Sequence, residues 1–330
     1  MREIWIAHGC SAVLHGLGTY KNMSNPLVSV IMNCHNGAQY LREAIDSVVA
    51  QTYPNWEIVF WDNQSTDDSA EIFKSYQGPQ FRYFLAPEYT ALGEARNLAI
   101  QQSRGELVAF LDCDDLWLSR KLEKQVPLFQ KGPVGIVICD TIFFNNKKDI
   151  RQLYKRKKPP TGFVFKELLG AYFISMETPI IRRSALSDLD HWFDPRFEMI
   201  EEYDFFVRLG LKWEVAYVDE VLAKWRVHSS SWTWSKSELF PVETRLFLDK
   251  MNNLIPDFKF QYVEEFSAVR LKIALQEAII SWRMGNPKRA REILKPFRRE
   301  NLFAGLITSW SWLPFKTFDF VNRMRVGLVS

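Results

Sequence analysis

The run Leu107-Val-Ala-Phe-Leu111 has no polar face, and Asp112-Cys-Asp-Asp115 follows it without a break. A strand with no polar side must be covered on both faces, as in a parallel sheet held between helices. Three carboxylates at the mouth of such a strand are costly unless they meet water or a cation. In open α/β sheets, ligands bind beyond the carboxyl ends of the strands. Oxygen-only donors suit Mg²⁺ or Mn²⁺, ions that commonly bridge to phosphate. The same acids would also serve as a surface turn and helix N-cap. Asp-x-Asp is too short a string to decide between the two.

The flanking sequence repeats the strand's logic. Residues 28–32 form a buried-type strand ending in Asn33-Cys-His-Asn-Gly37, and Tyr40, Leu41, Ala44, Ile45, Val48 and Val49 then recur at helical spacing. Residues 58–61 form a second strand, ending in Asp62-Asn-Gln-Ser-Thr-Asp67. Ser65 with Asp68 predicts a capping arrangement for a helix to Tyr76. Strands over 81–85 and 134–139 and a helix opening at Gly93 continue the alternation. Strands alternating with helices of about 10–15 residues define an α/β chain with a Rossmann-like, largely parallel sheet.

At 330 residues the chain suits one large or two modest domains. A net charge of +3 excludes a general grip on nucleic acid. Cys10, Cys34, Cys113 and Cys139 lack paired ligand spacing and read as reduced thiols in the cytosol. Residues 1–26 fall outside the pattern. They are either a poor signal segment or the product of a start placed too early; the second reading, with Met23 as the start, is favoured because order begins at Pro26-Leu-Val28. The expected organisation is an extension over 1–26, a sheet domain over 27–236 and a helical region over 237–330.

Five segments together, in this order and spacing, resemble the family 2 glycosyltransferases: Val28-Ser-Val-Ile, Gln51-Thr-Tyr-Pro, Asp62-Asn-Gln-Ser-Thr-Asp, Ala95-Arg-Asn and Leu111-Asp-Cys-Asp-Asp. The likeness covers roughly 27–232. It implies a GT-A fold and an inverting, metal-dependent transfer of sugar from a nucleotide-sugar donor to an acceptor hydroxyl on a glycan, a lipid-linked glycan or a protein. Residue by residue, it places Asn33 and His35 against the base, with His35 in place of the commoner Tyr, and makes Asp62 the acceptor for the base's ring N–H. It sets Arg96 near the nucleotide, Asp112 at the ribose and Asp114 on a divalent metal, Mn²⁺ or Mg²⁺. Each has a plainer reading: a strand-end cap for His35, a turn residue for Asp62, a helix-face ion pair for Arg96. Asp115 is expected to cap the helix over 121–129.

The resemblance continues in Glu201-Glu-Tyr-Asp204, where the family usually has Glu-Asp-x-Asp with the first Asp as general base. Glu202 stands there, one methylene longer, with Glu201 in reserve. Arg208 is spaced to pair with Asp204. Arg226-Val-His228 matches the closing strand, which makes His228 a second metal or diphosphate contact, although a lone His is commonly structural. Residues 229–235, with Trp232 and Trp234, would form a lid.

The basic run Lys147, Lys148, Arg151 and 155–158 is a solvated loop or a contact for an anionic acceptor or headgroups. Helices are expected over 163–171, 242–254, 260–282 and 287–297, the last two broken by Gly285-Asn-Pro287. The tail over 302–329 is aromatic and basic, with no run of the ~18 apolar residues that a span requires. It fits a helix lying on an anionic membrane surface, or one packing on the protein itself or a second subunit. The sequence therefore reads as a cytosolic inverting glycosyltransferase, either free or peripheral at the inner face of the membrane. Two alternatives stay open: a nucleotidyltransferase of related fold, whose basic phosphate-gripping first loop is missing from 33–37, and an inactive sugar- or partner-binding relative.

Overall fold

The computed structural model describes residues 25–145, 148–228, 236–299 and 301–318. The expectations for Met23 and the residues before it, for Lys147, for the lid over 229–235 and for the tail past 318 lie outside these residues.

Strand β1 (Val28–Cys34), helix α1 (Ala38–Val49), β2 (Trp56–Asp62), α2 (Ser69–Lys74), β3 (Phe81–Leu85), α3 (Leu92–Gln102) and β4 (Leu107–Phe110) alternate as the periodicity predicts. The four strands pair in parallel in the order β3-β2-β1-β4. Alternate residues of β4 enter different cores. Val108 and Phe110 join Ile31 and Val59 on one face, while Leu107 and Ala109 join Val30 and Met32 on the other. That two-sided burial is why the strand carries no polar residue. Gly105 lets the chain into β4 pass close to β1: a Cβ there would lie 2.4 Å from the Leu27 carbonyl oxygen.

Past β4 the sheet becomes mixed. It adds β5 (Leu116–Trp117), β6 (Val134–Phe144), β7 (Asp149–Gln152), β8 (Ile180–Arg182) and β9 (Glu214–Arg226). β8 lies antiparallel between β4 and β6, β6 runs parallel to β9, and β5 and β7 add antiparallel to β9 and β6. Parallel ladders still carry most of the pairing. Short helices α4 (Lys121–Gln125), α5 (Phe165–Gly170) and α6 (Arg183–Leu186) lead to α7 (Glu201–Leu209), which carries the acidic segment.

The C-terminal region is helical, as expected: α8 (Leu239–Leu254), α9 (Phe258–Gln261), α10 (Val263–Arg283), α11 (Pro287–Leu294) and α12 (Leu302–Trp310). Phe247, Leu248, Met251, Phe258, Val269 and Ile273 share one apolar core with Val108 and Phe110, so α8 to α10 close one face of the sheet. Ala278, Trp282, Ala290, Leu294 and Ile307 form a smaller core farther out. Gly285, with φ of 81°, breaks the chain before α11, and Asn286 caps that helix by accepting from Arg289 N–H at 3.0 Å. No described helix is long and apolar enough to cross a membrane.

Two local expectations are corrected. Ser65 and Asp68 give α2 no side-chain cap, although Asp68 stands at its N-cap position; Asp67, one residue earlier, accepts from Ser69 N–H at 3.0 Å and from Ala38 N–H at the start of α1 at 2.9 Å. Asp115 does not cap the following helix, which begins at Lys121 with no side-chain cap. It is buried instead, and its Oδ1 accepts Arg226 N–H at 2.8 Å. The reason is β5, too short to read from periodicity, which pairs with β9 and draws Asp115 inward.

Candidate active site

The acidic segment ending β4 and the start of α7 face each other across a cleft of about 460 Å³. Arg96, Asp112, Asp114, Glu201 and Glu202 line it, beside an aromatic wall that includes Tyr172, Phe173 and Trp225. Arg96, on α3, holds the two acidic segments together. One guanidinium nitrogen donates to Glu201 Oε1 at 2.8 Å and another to Asp112 Oδ1 at 3.2 Å. Arg96 is 3 % exposed, so its ion pairs reach across the cleft floor and do not lie on a helix face. Burial raises Glu201 to about 7, against the opposing pull of Arg96. Burial, then the charge of Glu201, raises Glu202 to about 8. Farther along α7, Arg208 pairs with Asp204 at 2.6 Å, as its spacing predicts.

At the cleft's other end His228 Nε2 lies 2.8 Å from Asp114 Oδ2. Burial and the neighbouring charge of Asp112 push Asp114 up, and His228 partly offsets this. The end of β9 is held for this meeting: Arg226 N–H donates to Asp115, and Arg226 Nε donates to the Asp114 carbonyl at 2.8 Å. His228 follows two residues later. A carboxylate with excess negative charge beside it, next to an imidazole nitrogen, fits a divalent cation. A second group, His191, Asp194 and Asp204, has ligating atoms close together. It fits a metal poorly, because Lys250 Nζ already sits among them, 2.8 Å from Asp194, 2.7 Å from Asp204 and 3.0 Å from His191.

The expected base-binding residues sit at the ends of β1 and β2. His35 is exposed, its Nδ1 2.9 Å from the Asn63 carbonyl and its ring edge-on to Tyr89 at 4.8 Å. Asn33 is half-buried, and its amide nitrogen has no hydrogen-bond partner among the described residues. Asp62 is buried; Oδ1 accepts Ser65 N–H at 2.8 Å and Oδ2 accepts the Tyr83 hydroxyl at 2.7 Å. Each oxygen keeps a second lone pair. Asn36 and Gln64 hold φ of 56° and 63° in these two loops, and Asn36 Oδ1 accepts Thr66 N–H at 2.8 Å. Left-handed backbone at two non-glycine residues is strain of the kind that functional loops retain.

Sequence reasoning missed Tyr89, Glu177 and Glu243. Tyr89 lies in an exposed loop with no pattern to flag it. Glu177 lines the cleft while 1 % exposed, pushed up by burial and with both oxygens accepting from Ser175 Oγ. A lone acid just before β8 was its only signal. Glu243 is buried on α8, outside the cleft lining.

A mostly parallel sheet with helices on its faces and an acidic cleft at the strands' carboxyl ends defines a GT-A glycosyltransferase. The chain belongs to glycosyltransferase family 2, whose family model (Glycosyl transferase family 2) matches residues 29–190. It is 31% identical over 221 residues to an uncharacterized glycosyltransferase of Rickettsia prowazekii, covering 64% of this chain and 68% of the relative. It is 28% identical over 191 residues to the Escherichia coli UDP-Glc:alpha-D-GlcNAc-diphosphoundecaprenol beta-1,3-glucosyltransferase WfgD, covering 57% of this chain and 71% of that protein. Among solved structures, S. aureus TarS 1-349 in complex with UDP-GlcNAc matches with TM-score 0.60 and 19% identity over 75% of this chain and 72% of that one. The mannosyltransferase PcManGT from Pyrobaculum calidifontis, in complex with GDP-Man and Mn2+, matches with TM-score 0.59 and 18% identity over 89% and 83%. Family membership removes the nucleotidyltransferase alternative.

Proposed function

We propose that this glycosyltransferase is an inverting, metal-dependent enzyme that uses Glu202 as its general base. The observation that carries the reading is the convergence of Asp112, Asp114, Arg96, Glu201 and Glu202 on one cleft. Asp114 and His228 would hold Mn²⁺ or Mg²⁺, which when bound offsets the charge of the departing diphosphate. Asn33, His35 and Asp62 would take the base, and Asp112 the ribose. Arg96 fixes Asp112 and Glu201 in place. Glu202 would take the acceptor hydroxyl's proton as its oxygen attacks the anomeric carbon from the face opposite the diphosphate. Glu201 is the weaker candidate, because its Oε1 is already committed to Arg96. WfgD and the Mn2+ complex of PcManGT favour a nucleotide-sugar donor, a metal and a polysaccharide or lipid-linked acceptor. Glu201 and Glu202, which both line the cleft from α7, favour an active enzyme over an inactive relative.

We also infer that α12 and the residues after it meet a membrane surface. Leu302, Phe303, Leu306, Trp310, Trp312 and Leu313 are exposed there, with Lys295, Arg298, Arg299 and Lys316 exposed nearby. The function is tested by a thermal-shift and mass-spectrometric screen of UDP-, dTDP- and GDP-sugars with and without Mn²⁺. One donor class should raise Tm only with the metal and release its nucleotide. No shift with any nucleotide sugar would sink the reading.

A further inference from the structure

The segment that carries the base is held from outside its own helix. α7 opens at Glu201 with Ile200 in the N-cap position and no side-chain cap from its own segment. The amides leading into it point at Glu243, on α8. Glu243 Oε1 accepts Glu198 N–H at 3.0 Å, and Oε2 accepts Met199 N–H at 2.9 Å and Ile200 N–H at 3.2 Å. Glu243 is 5 % exposed and makes no ion pair among the described residues. A buried carboxylate without a countercharge is expensive, and three converging amides offset that cost. Two further residues on the same face of α8 follow at one-turn intervals. Phe247 packs on Tyr203 with ring centroids 4.5 Å apart, and Lys250 reaches Asp204 at 2.7 Å. Tyr203 and Asp204 are the two residues after Glu202. One face of α8 therefore grips the start of α7 before, beside and beyond the base.

We propose that Glu243 is a positioning residue for the glycosyl transfer. It fixes the 198–200 backbone so that Glu202 presents its carboxylate to the acceptor. The inference rests on Glu202 as the base, and it gives the C-terminal helical region a part in the reaction. A shared core with the sheet accounts for α8's apolar residues. It does not account for a carboxylate spent on three amides next to the base.

The test uses the full-length chain with Glu243→Gln, which keeps the shape but turns an NH₂ toward backbone donors, and Glu243→Ala. Asp249→Asn, exposed on the same helix, is the control. Hydrogen exchange is read on the peptide covering 198–203. Turnover is read as nucleotide release from UDP-Glc, UDP-GlcNAc and GDP-Man with Mn²⁺. The expected result for Glu243→Gln is exchange at least about tenfold faster in that peptide alone. kcat should fall by about 10–100-fold, the scale of a 1 Å misplacement. Nucleotide affinity should stay near the parent's, Tm should fall by a few degrees because buried N–H groups lose their acceptor, and Asp249→Asn should match the parent throughout. Unchanged exchange at 198–203 overturns the proposal, whether or not turnover is detectable. So does unchanged kcat in either Glu243 variant, or a fall of nucleotide affinity in step with kcat. If Glu243→Ala fails to fold, Glu243→Gln decides. Full activity in Glu202→Gln would instead strike the choice of base, while the exchange result would still stand or fall by itself.

Discussion

Glu202 is the residue on which the proposed chemistry turns, and its environment makes the test specific. General-base catalysis contributes about 10²–10⁴-fold, so Glu202→Gln should lower kcat by that order while nucleotide affinity holds. Glu201→Gln should cost less in kcat; an inactive Glu201→Gln beside an active Glu202→Gln would show the wrong carboxylate was chosen. Glu202→Asp restores the family's usual residue. If the backbone is set for Glu, the shorter side chain falls short and activity drops. Burial and Glu201 raise Glu202 to about 8, so it gains its basic form only as pH climbs through that value. The parent's kcat/KM should therefore rise up to about pH 8, and a pH profile of Glu202→Gln should lack that limb. The linkage runs the other way for stability. A carboxyl whose folded value lies above its unfolded value of about 4.3 holds its proton longer in the native state, so stability falls as pH rises between the two. Glu202→Gln should melt higher than the parent at pH 8–9, with the gap closing near pH 4. An identical Tm–pH curve for both would contradict the buried, raised acid. At the metal end, Asp114→Asn should abolish Mn²⁺-dependent nucleotide binding with little loss of Tm. His228→Ala should weaken it by about 10–100-fold. Titration calorimetry with Mn²⁺ and UDP or GDP checks both, and parent-like affinity in Asp114→Asn would mean the site is misplaced.

At the scale of elements, the strands and the polar segments that end them could be read directly, because uninterrupted apolar runs admit few structures. β1 to β4 and their three helices fall where the pattern puts them. What escaped was set by partners distant in sequence. β5 is two residues long and exists through pairing with β9, more than a hundred positions later. It turned Asp115 from an expected helix cap into the anchor of Arg226. Asp67 rather than Ser65 serves the start of α2, and the same side chain also serves α1, a bond that sequence spacing cannot reveal. In the cleft, Asp112, Asp114, Glu201 and Glu202 were visible as motifs, whereas Glu177 and Glu243 acquire meaning only from the fold. The Asp115 anchor carries its own prediction. Asp115→Ala leaves the buried Arg226 N–H without its acceptor, a loss of about 1–3 kcal/mol. It should lower Tm, and by freeing the end of β9 it should also weaken Mn²⁺-dependent nucleotide binding through His228. A drop in Tm with unchanged metal-dependent binding would show that His228 does not need this anchor.

For the whole molecule, the open question is what the outer helices face. Residues 302–313 present Leu302, Phe303, Leu306, Trp310, Trp312 and Leu313 to solvent, while Ala304 and Ile307 fill the small core beneath. Scattered apolar residues on a surface mean little, but six within twelve positions form a face. Arg291 lies over the Trp312 ring at 4.0 Å, and further cations stand at Lys288, Arg289, Lys295, Arg298, Arg299 and Lys316. Cations beside an exposed aromatic and aliphatic face suit an anionic bilayer, where apolar burial and charge attraction add, at about 1 kcal/mol per Lys or Arg near the surface. A second copy of the chain, bearing the same positive charge, would meet repulsion there. The full chain should therefore cosediment with vesicles containing phosphatidylglycerol and little with pure phosphatidylcholine, and the binding should fade as salt is raised. Leu306→Glu should abolish cosedimentation without changing Tm or nucleotide binding, since Leu306 is 56 % exposed and is not among the residues that line the cleft. Trp312→Ala should weaken it in part. Vesicle binding that persists in Leu306→Glu would place the contact elsewhere, and a parent dimer dissolved by that substitution would make the face a subunit interface.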